Sequence, residues 1–231
     1  MSIVGNVASY GSFMSIAEAP TFVVGSQPKF AHYCTSIVNR IGDLLWERKL
    51  GVRTRGRAES PHHDAHAYGY LSYHTYFTIL DRLLLQPSDV VVDLGCGKGR
   101  IVCCAACYDI REAIGVEIDP QLARSAKNNV SQLRLRRAPA RITTESAIDF
   151  DFDATTVVVM FHPFGIKTLE GVLQRIDESC RRIPRRLRIV YANPLFDHVL
   201  AAQDSFTRYD AWLPKTWDRL KFPVYFYEHR S

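Results

Sequence analysis

Val90-Val91-Val92-Asp93-Leu94-Gly95-Cys96-Gly97-Lys98-Gly99-Arg100 is the stretch that decides the fold. Val90 to Val92 are β-branched and continuously apolar, which describes a strand covered on both faces, as in a parallel sheet. The strand ends in an acid. Gly95, Gly97 and Gly99 then permit backbone conformations and close approaches that a Cβ would forbid. Ile101 to Tyr108 is apolar and small, as a helix lying on a sheet must be. A strand, a glycine turn and a helix in this order place backbone N–H groups beside a ligand at the carboxyl end of the strand.

A glycine-rich turn alone does not name that ligand, because several nucleotides use one. Asp93 narrows the choice. A carboxylate directly before the turn repels a pyrophosphate, which carries about two negative charges at neutral pH. It suits a ligand with a nearby cation, such as S-adenosylmethionine, which has an ammonium, a sulfonium and no phosphate. The spacing G-x-G-x-G also departs from the dinucleotide G-x-G-x-x-G. A second apolar strand ending in an acid follows at Ala113-Ile114-Gly115-Val116-Glu117-Ile118-Asp119-Pro120. Glu117 lies roughly twenty residues past the glycine turn, where an acid can accept from both ribose hydroxyls.

Together, Asp93–Arg100 and Gly115–Pro120 resemble the first and second motifs of the class I S-adenosylmethionine-dependent methyltransferases. They are similar as well to those of the non-SET lysine methyltransferases, the histone-directed ones included. The resemblance covers roughly residues 68–228. It implies a doubly wound α/β fold: a mostly parallel seven-stranded sheet with a C-terminal antiparallel hairpin. It also implies S-adenosylmethionine as cofactor, held by Asp93, Gly95, Cys96, Gly97 and Gly99, by Glu117 and Ile118, by Ser146 and Ala147, and by Phe161. The family commonly has an acid where Ser146 stands, so the adenine contact departs from its pattern. Tyr70 and Tyr73 either roof the methionine end, where an aromatic face attracts a cation, or pack as half-buried tyrosines.

Thr155 to Phe161 is a strongly β-branched strand running into His162-Pro163-Phe164-Gly165. The carboxyl ends of parallel strands form the crevice, so the methyl acceptor belongs here. The stretch resembles the Asn/Asp-Pro-Pro-aromatic motif of amino-group methyltransferases. The resemblance implies that His162 stands in for the hydrogen-bond acceptor and that Phe164 stacks on the amine beside Pro163. A neutral histidine can accept one hydrogen bond and take the departing proton. Asn193, at the end of the strand Leu187 to Tyr191, is a further candidate for the acceptor pocket. The expected activity is methyl transfer to a nitrogen of a protein lysine, a small molecule or a nucleobase. A nicotinamide-dependent oxidoreductase and a non-catalytic binding module on the same fold are the alternatives.

The rest of the chain frames this core. Residues 1–67 are expected to form an N-terminal arm and a helical lid, and residues 68–231 the cofactor-binding domain. From Phe30 to Leu50, Ile37, Ile41, Leu44 and Leu45 recur near helical spacing with polar residues between, which predicts a helix closed by Gly51. His62, His63, Asp64 and His66 read as a solvated loop rather than a metal site, since adjacent side chains in an extended segment point apart. Arg134, Arg136, Arg137 and Arg141 read as a solvated helix end, with an anion-binding patch as the alternative. Arg181, Arg182, Arg185, Arg186 and Arg188 read as a solubilising connection rather than a phosphate site. Phe206 to Trp212 and Phe222 to Tyr227 alternate and are aromatic, as a terminal strand pair does. A net charge of +5 over 231 residues permits an acidic partner without requiring one, and nucleic-acid binding would need that charge gathered on one face. No run is long enough to span a bilayer, and the six cysteines do not form a secreted disulfide pattern, so the expected setting is the cytoplasm.

Overall fold

A computed structural model describes residues 29–56, 69–213 and 222–230, with side chains from residue 38 onward. The expected arm over residues 1–28 and the His62, His63, Asp64 and His66 group lie outside the described residues.

The elements follow in the order α1 (Lys29–Leu50), α2 (Tyr73–Arg82), β1 (Val90–Leu94), α3 (Arg100–Ala105), β2 (Glu112–Glu117), α4 (Pro120–Gln132), β3 (Ala140–Thr144), β4 (Val157–Phe161), α5 (Ile166–Arg182), β5 (Arg188–Ala192), α6 (Asp197–Ala201), β6 (Phe206–Trp212) and β7 (Val224–His229). The strands form one sheet in the order β3-β2-β1-β4-β5-β7-β6. β1 to β5 are parallel, and β7 and β6 add antiparallel. This is the doubly wound sheet with a terminal hairpin that the motifs imply.

Period-two alternation divides the core. Val90, Val92 and Leu94 pack on α5 and α6, while Val91 faces the layer built from α2, α3 and α4. Full burial on both faces is why these strands read as unbroken apolar runs, and each buried valine is worth roughly 1.5–3 kcal/mol. The chain order reverses between β1 and β4. That switch point opens a crevice at the carboxyl ends of β1 and β4, where Asp93 and His162 lie.

Local signals set the helix ends. Asp119 caps α4, its carboxylate accepting from the N–H groups of Gln121 (2.7 Å) and Leu122 (3.0 Å), and Pro120 takes the first turn. Gly51 ends α1 with a φ of 75°.

The apolar residues at helical spacing on α1 are not the ones its described part buries. Ile41, Leu44 and Leu45 are exposed, Leu45 by 63%, and the side chain of Ile37 is not among those described. The stripe that faces inward is Asp43, Glu47 and Leu50. The reason is electrostatic: a buried arginine waits beneath α1, and carboxylates serve it better than leucines.

Candidate active site

The glycine turn is fastened to the neighbouring strand. Gly95 and Cys96 both donate to the Val116 carbonyl, at 2.9 and 3.0 Å, and Gly97 donates to Glu117 Oε2 at 2.7 Å. All three glycines have positive φ: 69° at Gly95, 54° at Gly97 and 76° at Gly99. Gly95 has a second constraint, because a Cβ there would lie 2.5 Å from Pro163 Cβ. The missing side chain lets the His162–Pro163 turn close onto the glycine turn, so the two candidate loops touch.

Two buried carboxylates flank this turn. Asp93 is 4% exposed, and burial, then the neighbouring Glu117, hold its pKa well above the usual aspartate range. Its carboxylate makes no hydrogen bond with the described residues. Glu117 is 6% exposed; burial raises its pKa, and hydrogen bonds from the backbone act against that rise. Its Oε1 accepts from the Asp119 N–H at 2.9 Å, which leaves lone pairs on both oxygens for a ligand. Two acids forced together in a dry site attract a cation. Burial also pushes the Cys96 thiol well up, so it is packing rather than a nucleophile.

Tyr70 and Tyr73 do engage a cation, but it belongs to the protein. The Arg100 guanidinium lies 4.0 Å from the Tyr70 ring centre and 4.2 Å from that of Tyr73. Arg100 is 2% exposed. It donates to Thr54 Oγ1 (2.7 Å), Asp43 Oδ2 (2.9 Å) and the Leu71 carbonyl (2.9 Å), with Glu47 3.6 Å away. Tyr73 is fully buried, its backbone N–H bonded to Asp43 and its hydroxyl to Thr54. The Tyr73 ring packs on Arg100. Sequence reading passed over Arg100, although a lone arginine opening an apolar helix that lies on a sheet was the available signal.

The ends of β3, β4 and β5 complete the crevice. Glu145 N–H donates to the Glu117 carbonyl at 3.2 Å, which brings the Ser146–Ala147 turn beside the second motif. Ser146 Oγ accepts from the Ile148 N–H at 3.3 Å, and Ala147 is buried. Ile118 stays 38% exposed next to Glu117. His162 and Asn193 both have left-handed backbones, at φ 39° and 52°. Non-glycine residues there are uncommon, and such strain gathers at functional sites. His162 Nδ1 lies 3.1 Å from the Tyr191 hydroxyl, and its ring lies 5.0 Å from that of Phe196. Phe161 stacks on Phe222 at 5.2 Å. Phe164 is 7% exposed and packs in the core layer with Leu94 and Leu169. Tyr191, Phe196 and Phe222, which sequence reading left out, are the rings that surround His162 and Phe161.

Residues 60–140 match the family described as "Histone methylation protein DOT1". A protein-lysine N-methyltransferase from Saccharolobus islandicus is 34% identical over 84 residues, covering 36% of this chain and 52% of that protein. A ribosomal protein L11 methyltransferase from Pasteurella multocida is 29% identical over 98 residues, covering 42% of this chain and 32% of that protein. The chain thus spans about half the length of these relatives or less. Among solved structures, the ribosomal protein L11 methylase of Lactobacillus delbrueckii superposes with a TM-score of 0.51 at 14% identity, over 72% of this chain and 82% of that one. With the strand order β3-β2-β1-β4-β5-β7-β6 and the acid–glycine turn at its switch point, the chain has the class I S-adenosylmethionine-dependent methyltransferase fold.

Proposed function

We propose that the protein is an S-adenosylmethionine-dependent methyltransferase that methylates a protein amine, with a lysine side chain as the acceptor. The observation that carries this reading is the pair of buried carboxylates, Asp93 and Glu117, on either side of three left-handed glycines. Asp93 fits the methionine ammonium, because its carboxylate is buried and lacks a hydrogen-bonded partner among the described residues. Glu117 fits the ribose hydroxyls through the lone pairs its two backbone donors leave free. Ile118 and the Ser146–Ala147 turn offer an edge for the adenine. The relatives named for methylating protein acceptors favour a protein substrate over a small molecule or a nucleobase.

When bound, the cofactor supplies a methyl group already activated by its sulfonium. The chain must then hold a neutral amine in line with that methyl. Phe161, Phe196 and Phe222 exclude water, which disfavours the ammonium form of an entering lysine. His162 accepts from the amine and takes its proton. It can do so when Nδ1 carries the hydrogen toward Tyr191, which leaves Nε2 as the acceptor. Asn193, at the adjoining strand end, lines the same mouth. α1, tied to Arg100, serves as a fixed wall rather than a moving lid.

Incubation with methyl-labelled cofactor and cell extract tests the reading. Label that protease removes and nuclease does not is the expected result. Label removed only by nuclease contradicts the protein acceptor, and absence of any transfer contradicts the activity.

A further inference from the structure

A second pocket lies on the opposite rim of the sheet from Asp93 and Glu117. It has a volume of about 440 Å3 and opens between the end of α1, α2 and the loop joining α4 to β3. Trp46 and Phe77, with ring centres 4.5 Å apart, form an aromatic wall. Cys107 and Leu135 extend the apolar side, and Lys49, Arg134, Arg136 and Arg137 line the rest. The loop is pinned from two sides: Arg134 N–H donates to the Leu50 carbonyl at 2.9 Å, and Arg137 N–H to the Ala106 carbonyl at 2.8 Å. The cations are thus held on a fixed backbone.

The two arginine-rich runs of this chain behave differently, Arg141 apart, which pairs with Glu112 outside the pocket. In the run before β5, Arg181 pairs with Asp177, Arg182 with Asp153, Arg186 with Glu228 and Arg188 with Asp89, while Arg185 donates to the Thr155 and Phe152 carbonyls. That run is internal scaffolding. Around the second pocket, none of Lys49, Arg134, Arg136 and Arg137 has a carboxylate within ion-pair distance among the described residues. Lys49 rests instead on the Trp46 ring, 4.9 Å from its centre. Four cations without counter-charges among the described residues, beside an indole, match one ligand chemistry: a phosphate next to a flat base.

We propose that this pocket binds single-stranded nucleic acid, with a base taking the place of the Lys49 ammonium on the Trp46 ring and flanking phosphates on the displaced Lys49 and on Arg134, Arg136 and Arg137. The volume suits a nucleotide, since ligand pockets run roughly 300–1,000 Å3. The site lies on the far rim from the acid–glycine turn, so it needs neither cofactor nor methyl acceptor. It anchors a strand to the protein away from the crevice.

Fluorescence anisotropy of a labelled single-stranded oligonucleotide, without cofactor, tests this on the full chain. Arg136 and Arg137 are exposed, so the double variant Arg136→Gln/Arg137→Gln keeps the fold, which a thermal melt checks. It is expected to weaken binding at least tenfold and to flatten the salt dependence by about 0.7 log units per lost phosphate contact. Trp46→Leu is expected to weaken single-strand binding several-fold while leaving the salt slope unchanged. Parent-like binding by the double variant overturns the site. A duplex or inorganic polyphosphate bound as tightly as the single strand, and equally well by Trp46→Leu, overturns the base contact and leaves bare charge attraction.

Discussion

Asp93 is the residue on which most depends, and its chemistry couples binding to pH. Its folded pKa lies above its unfolded one because burial and Glu117 disfavour the charge. Folding therefore takes up a proton, and the associated stability is present at acid pH and lost as pH rises through the folded value. Asp93→Asn should make the free protein more stable at neutral pH, on the order of 1 kcal/mol in a thermal melt. The same change should weaken S-adenosylmethionine binding. In the parent, cofactor affinity should rise with pH above the ordinary aspartate range, because the ammonium requires the ionised carboxylate; titration calorimetry in buffers of different ionisation enthalpy reads the released proton. At the other loop, Tyr191→Phe should lower kcat about tenfold with KM for cofactor unchanged, through loss of the hydrogen bond that orients His162. An equal rise in KM for cofactor with no change in kcat contradicts that role. Both acids were legible in the sequence, since each ends an apolar strand. The left-handed backbone at His162 was not, because nothing in a histidine's neighbours announces a positive φ.

At the scale of elements, the contact between the glycine turn and the β4–α5 loop carries a sharp prediction. Gly95→Ala combines a left-handed φ with a Cβ 2.5 Å from Pro163, so it should cost roughly 2–4 kcal/mol or displace the His162 turn. A melt unchanged from the parent, with methyl transfer intact, contradicts the packing described. The attachment of α1 is a second case. Asp43→Ala leaves a buried arginine short of its main counter-charge, which costs about 3–5 kcal/mol. Denaturant unfolding reads that loss, and Arg100→Lys should not match the parent, because an ammonium cannot reproduce the planar contacts with Tyr70 and Tyr73. This element shows why sequence reading stopped short. Helical period finds the apolar stripe of α1, but not the polar one that is buried when an arginine from a distant helix start needs carboxylates.

Over the whole molecule, the order of strands follows from alternation and the right-handed crossover, which is why the sheet was legible from valine runs and glycine turns alone. The two arginine-rich runs were not separable in that way. Composition is alike in both, and only the structure shows one run bonded to acids and carbonyls and the other, apart from Arg141 on Glu112, facing a pocket. The site is therefore a consequence of topology at one rim, where strand ends gather acids and strained residues, and the second pocket uses the other rim. The central claim is that Asp93 and Glu117 hold S-adenosylmethionine. Titration calorimetry on the parent, Asp93→Asn and Glu117→Gln tests it most directly. Tight binding to the parent, at least about tenfold weaker binding to each folded variant, and no binding of NAD are the predicted results. Equal affinity across all three proteins, or binding of NAD in place of S-adenosylmethionine, contradicts it.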